Sequence, residues 1–127
     1  MPLVRISLRE GRPEAYRKAV GEGVHRAMVE TIDVPEHDRF QIITGHDSAS
    51  LIYDRTYLGI DRSDDTVLIQ LTISAGRSLE KKRALYARIV ALLMERPGVR
   101  PQDVFINLVE VAPENWSFGN GVAQYAG

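Results

Sequence analysis

The stretch Val67-Leu68-Ile69-Gln70-Leu71-Thr72-Ile73-Ser74-Ala75-Gly76-Arg77-Ser78 decides the fold, because its pattern has already occurred once, 65 residues earlier. At that constant shift Gly11-Arg12 falls on Gly76-Arg77, Ala19 on Ala84, Glu30 on Glu95, Val34 on Val99, Asp38 on Asp103 and Phe40 on Phe105. The apolar phase agrees: Val4, Ile6 and Leu8 overlay Ile69, Leu71 and Ile73, and Ile43 overlays Leu108. Residues 3–9 and 67–74 alternate with period two, as a strand with one buried face does. After each Gly-Arg turn the period lengthens. Tyr16, Val20, Gly23, Val24, Ala27 and Thr31 form one helical stripe, and Leu85, Ile89, Leu92 and Leu93 form another. Pro13 suits a first helical turn, and Ser78 suits the matching cap. The helices are expected to end before Val34-Pro35 and Pro97-Gly98, each followed by an apolar strand, 39–44 and 104–111.

Two βαβ units in one chain predict an α+β fold. Right-handed crossovers make the strands of each unit parallel and place both helices on one face of a four-stranded sheet. The expected organisation is a single domain over 1–127, with repeat one at 2–46, a connector at 47–66, repeat two at 67–111 and a tail at 112–127. The connector, rich in Asp, Ser and Gly with short apolar pieces at 51–53 and 57–60, reads as hairpin-like. The uncovered sheet face would carry Leu3, Arg5, Ser7, Leu68, Gln70 and Thr72, a mixture that suggests packing against other subunits. Gly21 and Gly23 each cost a helix about 1 kcal/mol relative to Ala, which close packing against a neighbour explains.

Composition removes several chemistries. The chain has 127 residues, 16 Lys and Arg against 17 Asp and Glu, a net charge of -1 and no Cys. It has no basic excess for nucleic acid or an anionic membrane surface. Without Cys there are no thiol nucleophiles, thiolate metal sites or disulfides. The longest apolar run, 89–94, falls far short of the roughly 20 residues that span a bilayer. No secretory signal is evident, so the expected location is cytoplasmic. His25, His37 and His46 lack metal-ligand spacing, with His25 placed among charged helix neighbours. Ser48 and Ser117 lack a nucleophile-elbow setting. Neither a metal nor a cofactor is expected.

An initiator Met followed by Pro, a strand and a Gly-Arg turn opening a helix resembles the tautomerase superfamily. Residues 8–12 look like that family's first turn and 74–78 like a second copy, as in its doubled 4-oxalocrotonate tautomerase-like members. Val34-Pro35, the run Asp38-Arg39-Phe40-Gln41-Ile42, Ala75-Gly76-Arg77, Asn115-Trp116-Ser117-Phe118-Gly119 and Ala123-Gln124-Tyr125 bring it nearest to the malonate semialdehyde decarboxylase group. Ala75 stands where some of that group have a second arginine. Val67 stands at the repeat counterpart of Pro2, so proline chemistry would occur once per chain.

The resemblance implies a tautomerase/MIF-like fold, a homotrimer, and a cofactor-free enzyme acting on a small carboxylate substrate. Pro2, Asp38 and Arg77 would be catalytic, and Arg77, Trp116, Phe118 and Tyr125 would bind substrate. Removal of Met1 would expose Pro2 as a secondary amine; with Met1 retained that nitrogen is an amide. A free α-amino group titrates near ~7.7 to 8.0, and a site that disfavours its charged form lowers this further. Neutral Pro2 is a general base, and cationic Pro2 an acid or electrostatic partner. Arg77 offers a fork of donors to a carboxylate, and Trp116 and Phe118 would exclude water. The activity implied first is decarboxylation of a 3-oxo acid. Keto-enol tautomerisation of a 2-oxo acid such as phenylpyruvate, hydration, or a non-enzymatic oligomeric binding module are the alternatives. Read singly, Asp38 can equally cap a turn as its counterpart Asp103 would, and Trp116 with Phe118 can be a satellite core. On the same footing Tyr125 can be an ordinary terminal residue, and Arg12 a structural or intersubunit contact.

Overall fold

The computed structural model describes residues 2–126. The elements follow as β1 (Pro2–Arg9), α1 (Glu14–Ile32), β2 (Gln41–His46), β3 (Val67–Ser74), α2 (Leu79–Glu95) and β4 (Val104–Val111). The sheet order is β2-β1-β3-β4. Each unit is internally parallel, β1 with β2 and β3 with β4, and the two units meet antiparallel along β1 and β3, where Ile6 faces Ile69. Two βαβ units thus share one sheet, and β1 and β3 have the same burial pattern residue for residue.

The core lies between the sheet and the helices. Val4, Ile6 and Leu8 from β1 and Val67, Ile69, Leu71 and Ile73 from β3 meet Val20, Val24 and Met28 from α1 and Leu85, Ile89 and Leu93 from α2. Each such side chain contributes on the order of 1.5 to 3 kcal/mol when fully buried. Ser78 caps α2 by accepting from the Lys81 N–H at 3.2 Å, while Pro13 immediately precedes the first residue of α1. A Cβ on Gly23 would stand 2.9 Å from Leu93 Cδ2, and one on Gly21 2.7 Å from Gln41 Oε1. Those glycines let α1 lie close to α2 and to β2.

Two expectations need correction. β2 begins two residues later than the apolar run, because the Arg39 N–H bonds to the His37 carbonyl (3.1 Å) and the Asp38 N–H to the Pro35 carbonyl (3.0 Å), so the chain is still turning there. The connector is no hairpin: its described residues form a 3-10 turn at Tyr57–Gly59 and otherwise irregular chain. A few local turn bonds and one backbone bond, from the Arg62 N–H to the Arg55 carbonyl (3.0 Å), are joined by side chains in satisfying its backbone: Arg62 donates to the carbonyls of Asp54 and Tyr57, Tyr53 to that of Ser63, and Arg100 to that of Asp61. His25, although it has charged neighbours in sequence, is only 2% exposed, because the buried stripe of α1 is wider than its aliphatic residues suggest.

Candidate active site at the start of the first strand

Pro2 opens β1 and is buried, paired antiparallel with Ile73 of β3. Beside it lies a cavity of about 460 Å³ walled by Pro2, Leu3 and Thr72 of the sheet, Phe40 of the approach to β2, and Asn115, Trp116 and Phe118 of the tail. Met1 lies outside the described residues. The tail reaches this place because it folds on itself. Gln124 accepts from the Phe118 N–H and donates to the Gly119 carbonyl, both at 3.0 Å, closing a turn. Trp116 and Phe118 stack at 5.4 Å with 13° between their planes, and Tyr125 meets Phe118 edge-on at 4.9 Å. Tyr125 therefore buttresses the aromatic wall from behind Phe118.

Ser74 ties the wall to the second Gly-Arg turn. Its hydroxyl accepts from Trp116 Nε1 at 3.1 Å, and its carbonyl accepts from Arg77 Nη1 at 2.9 Å. Arg77 also donates through Nε and Nη2 to the Ile32 carbonyl, at 3.3 and 3.2 Å. Ile32 ends α1, so the guanidinium sits at the negative end of that helix dipole. Arg77 thus stands behind Ser74 and does not line the cavity. Three of its five N–H donors are engaged by carbonyls, which leaves capacity for a carboxylate. Its repeat mate Arg12 pairs with Asp65 and lies 5.3 Å over the Tyr16 ring.

Asp38 closes the turn that begins at Pro35. Two residues further on, the Phe40 carbonyl accepts from the Val4 N–H at 3.0 Å, which sets Asp38 alongside the beginning of β1. Burial raises the Asp38 carboxyl above its ordinary value, with nearby positive charge, His25 included, acting against that shift. Asp103 has the opposite balance. Burial works against its charge, yet hydrogen bonds from Ser63 and Thr66 and the charge of Arg100 together hold it below the ordinary value.

The structure therefore gathers Pro2, Trp116 and Phe118 around one cavity, with Asp38, Arg77 and Tyr125 in the layer just outside it. Phe40, Ser74, Thr72 and Asn115 belong to this arrangement but were not singled out by sequence. Asn115 sits in the aromatic tail motif and Phe40 next to Asp38, so proximity to those motifs was the available signal. Ser74 opens the second Gly-Arg turn motif, but its link to Trp116 spans 42 residues and has no local signal.

A model described as tautomerase enzyme matches residues 38–119, and another of that description matches residues 2–59. The chain belongs to the tautomerase family and is an enzyme of that superfamily. It is 42% identical over 124 residues to the probable tautomerase YusQ of Bacillus subtilis (strain 168), with 98% of each chain covered. Among solved structures, it matches FG41 malonate semialdehyde decarboxylase inhibited by 3-bromopropiolate with a TM-score of 0.91 at 43% identity, over 97% of this chain and 93% of that one. A second malonate semialdehyde decarboxylase, described in terms of decarboxylase and hydratase activities, matches with a TM-score of 0.91 at 34% identity, over 97% and 95%.

Proposed function

We propose that the protein is a cofactor-independent, malonate semialdehyde decarboxylase-like enzyme that uses the amine of Pro2, freed by removal of Met1, on a small 3-oxo acid. The observation that carries this reading is the place of Pro2, buried at a strand start and facing a cavity whose far wall is the stacked Trp116 and Phe118. The 43% identity to a decarboxylase of the same fold supports the choice of reaction.

In this reading cationic Pro2 hydrogen-bonds the aldehyde oxygen of the substrate, or, having given up its proton, adds through its lone pair to the aldehyde carbon; the oxygen then takes up protons and leaves as water, giving an iminium. Either drains electron density from the carbon that bears the carboxylate. Arg77, which stands behind Ser74 with two of its five N–H donors left free by the carbonyls of Ser74 and Ile32, would turn toward the cavity to hold that carboxylate out of conjugation, so the C–C bond breaks and carbon dioxide leaves. The resulting enol or enamine takes a proton at carbon, and in the iminium route water adds and releases the aldehyde and the free amine. Asp38 orients water or shares a proton with the amine. The aromatic wall keeps bulk water from screening the ion pair.

The probable-tautomerase names of the relatives at 42% and 36% identity favour a second reading, in which neutral Pro2 moves a proton between oxygen and carbon of a 2-oxo acid enol. Hydratase activity is a third, prompted by the second decarboxylase structure. A cytoplasmic homotrimer completes the proposal. Among the described residues no helix is long and apolar enough to cross a membrane. The open sheet face exposes Phe105 (47%), Ile42 and Val109, apolar surface that a subunit interface would cover.

Intact mass establishes whether Met1 is removed. Assays with malonate semialdehyde and with phenylpyruvate enol then separate the readings, and Pro2→Ala tests the site: unchanged turnover of both substrates would refute it. A titration of the Pro2 nitrogen distinguishes the two proton roles, since a pKa well below neutrality contradicts the cationic mechanism and one well above contradicts the simple base.

A further inference from the structure

The turn from Pro35 to Asp38 delivers Asp38, and two residues later Phe40, to the start of β1, so whatever holds this turn holds part of the site. Three side chains of α1 reach it. Arg26 pairs with the Glu36 carboxylate at 3.0 and 2.6 Å, and Glu22 with Arg39 at 2.7 Å, both in exposed positions where ion pairs contribute little. The third, His25, is buried. Its Nε2 lies 2.8 Å from the Glu36 carbonyl oxygen. A carbonyl only accepts, so Nε2 carries the proton and donates. The other ring nitrogen, Nδ1, is enclosed and has no hydrogen-bond partner among the described residues. Burying such a ring is costly where an aliphatic side chain would pack.

The second repeat shows what this position needs for folding alone. Val90 occupies the place of His25 at the 65-residue shift. There the turn closing at Asp103 is anchored through the aspartate itself, which accepts from the Ser63 N–H (2.7 Å), Ser63 Oγ (2.6 Å) and Thr66 Oγ1 (3.0 Å). Repeat one is gripped instead at the carbonyl of the turn's central residue, by a histidine that its repeat mate lacks.

We infer that His25 is a positioning residue for the reaction at Pro2: by holding the Glu36 carbonyl it fixes the turn that presents Asp38 at the Pro2 end of the site. The inference rests on the reading above that Asp38 acts together with Pro2. It leaves the choice between decarboxylation and tautomerisation open, so the assay uses whichever of malonate semialdehyde or phenylpyruvate enol the full-length processed protein turns over.

His25→Leu removes the donor, whereas His25→Gln retains an amide N–H near the place of Nε2. His25→Leu is expected to lower kcat about 10- to 100-fold, the scale that follows from a small misplacement of a reacting group. KM is expected to stay within about twofold, the signature of a group felt in the transition state and not in binding. His25→Gln recovers most of that loss. Glu36→Ala, which removes the Arg26 pair but keeps the carbonyl, leaves kcat within about twofold, and adding His25→Leu to Asp38→Asn lowers kcat little further than Asp38→Asn alone. Wild-type kcat in a cooperatively folded His25→Leu protein overturns the inference, as does a His25→Gln enzyme as slow as His25→Leu, or losses that multiply in the double variant. Should His25→Leu not fold, His25→Asn, whose shorter amide falls short of the carbonyl, takes its place in the comparison with His25→Gln. If Asp38→Asn itself runs at the wild-type rate, this inference falls, while Pro2→Ala still decides the reading of Pro2 separately.

Discussion

Asp38 and Asp103 occupy the same place in their repeats, each closing a turn that leads into an outer strand, yet their surroundings shift the two carboxyls in opposite directions. Asp103, 0% exposed, takes three hydrogen bonds from Ser63 and Thr66 and so fastens the connector to the second repeat. Asp38 lies by the start of β1 with its carboxyl raised by burial. The first strands differ in the same sense, since Pro2 opens one and Val67 the other. One end of the doubled fold is thus fastened to the connector through Asp103, and the proposed function assigns the chemistry to the other end. A group whose charge is disfavoured costs stability, and such groups concentrate where a proton has to move.

Substitutions at matched positions test that asymmetry. The largest effect is expected at the strand starts. Pro2→Ala lowers kcat/KM by about 100-fold or more, the scale of a lost acid–base group, while Val67→Ala leaves turnover near wild type in steady-state assays. Next come the two Gly-Arg turns. Arg77→Ala raises KM for the carboxylate substrate and, by unpairing the Ile32 carbonyl at the end of α1, lowers stability by about 1 to 2 kcal/mol in urea melts. Arg12→Ala loses an exposed pair with Asp65 and costs about 0.2 to 1 kcal/mol with KM unchanged.

The aspartates give an effect of intermediate size that depends on pH. Asp103→Asn is expected to destabilise by about 1 to 3 kcal/mol near neutrality, because it disturbs a buried, fully bonded acceptor. Asp38→Asn leaves the melting temperature unchanged or raises it. The folded pKa of Asp103 is depressed, so near the acid end the unfolded chain binds more protons than the folded one. Its contribution is therefore complete above the unfolded value of about 3.9 and is lost as pH falls through the folded value. Acid titration of stability should thus be shallower in Asp103→Asn than in the wild type. Equal behaviour of the two aspartate variants would erase the comparison.

The fold was legible where local pattern and tertiary demand coincide. β3 runs over 67–74 as its alternation indicates, β4 over 104–111 as the apolar segment after the second helix indicates, and Ser78 caps α2 as its position suggests. Legibility failed where backbone groups found partners that hydropathy does not record. The Arg39 N–H bonding to His37 delays β2, and arginine side chains reaching carbonyls replace a hairpin in the connector. The same limit applies to the site. Trp116 and Phe118 stand out by composition, but the contact of Ser74 with Trp116 and that of His25 with Glu36 exist only after the chain has folded. A polar residue on an otherwise aliphatic helix stripe was the one advance sign of His25, and charge on its neighbours obscured it.

The central claim is that this doubled chain carries one reactive amine, at Pro2. The most direct measurement is to treat the processed protein with 3-bromopropiolate, an electrophilic acetylenic acid, and to map the product by peptide mass spectrometry while following activity. The account predicts one adduct per chain, located on Pro2, formed in step with loss of turnover and absent when Met1 still blocks the nitrogen. Loss of turnover with the label elsewhere, or full labelling of Pro2 with turnover intact, would contradict it.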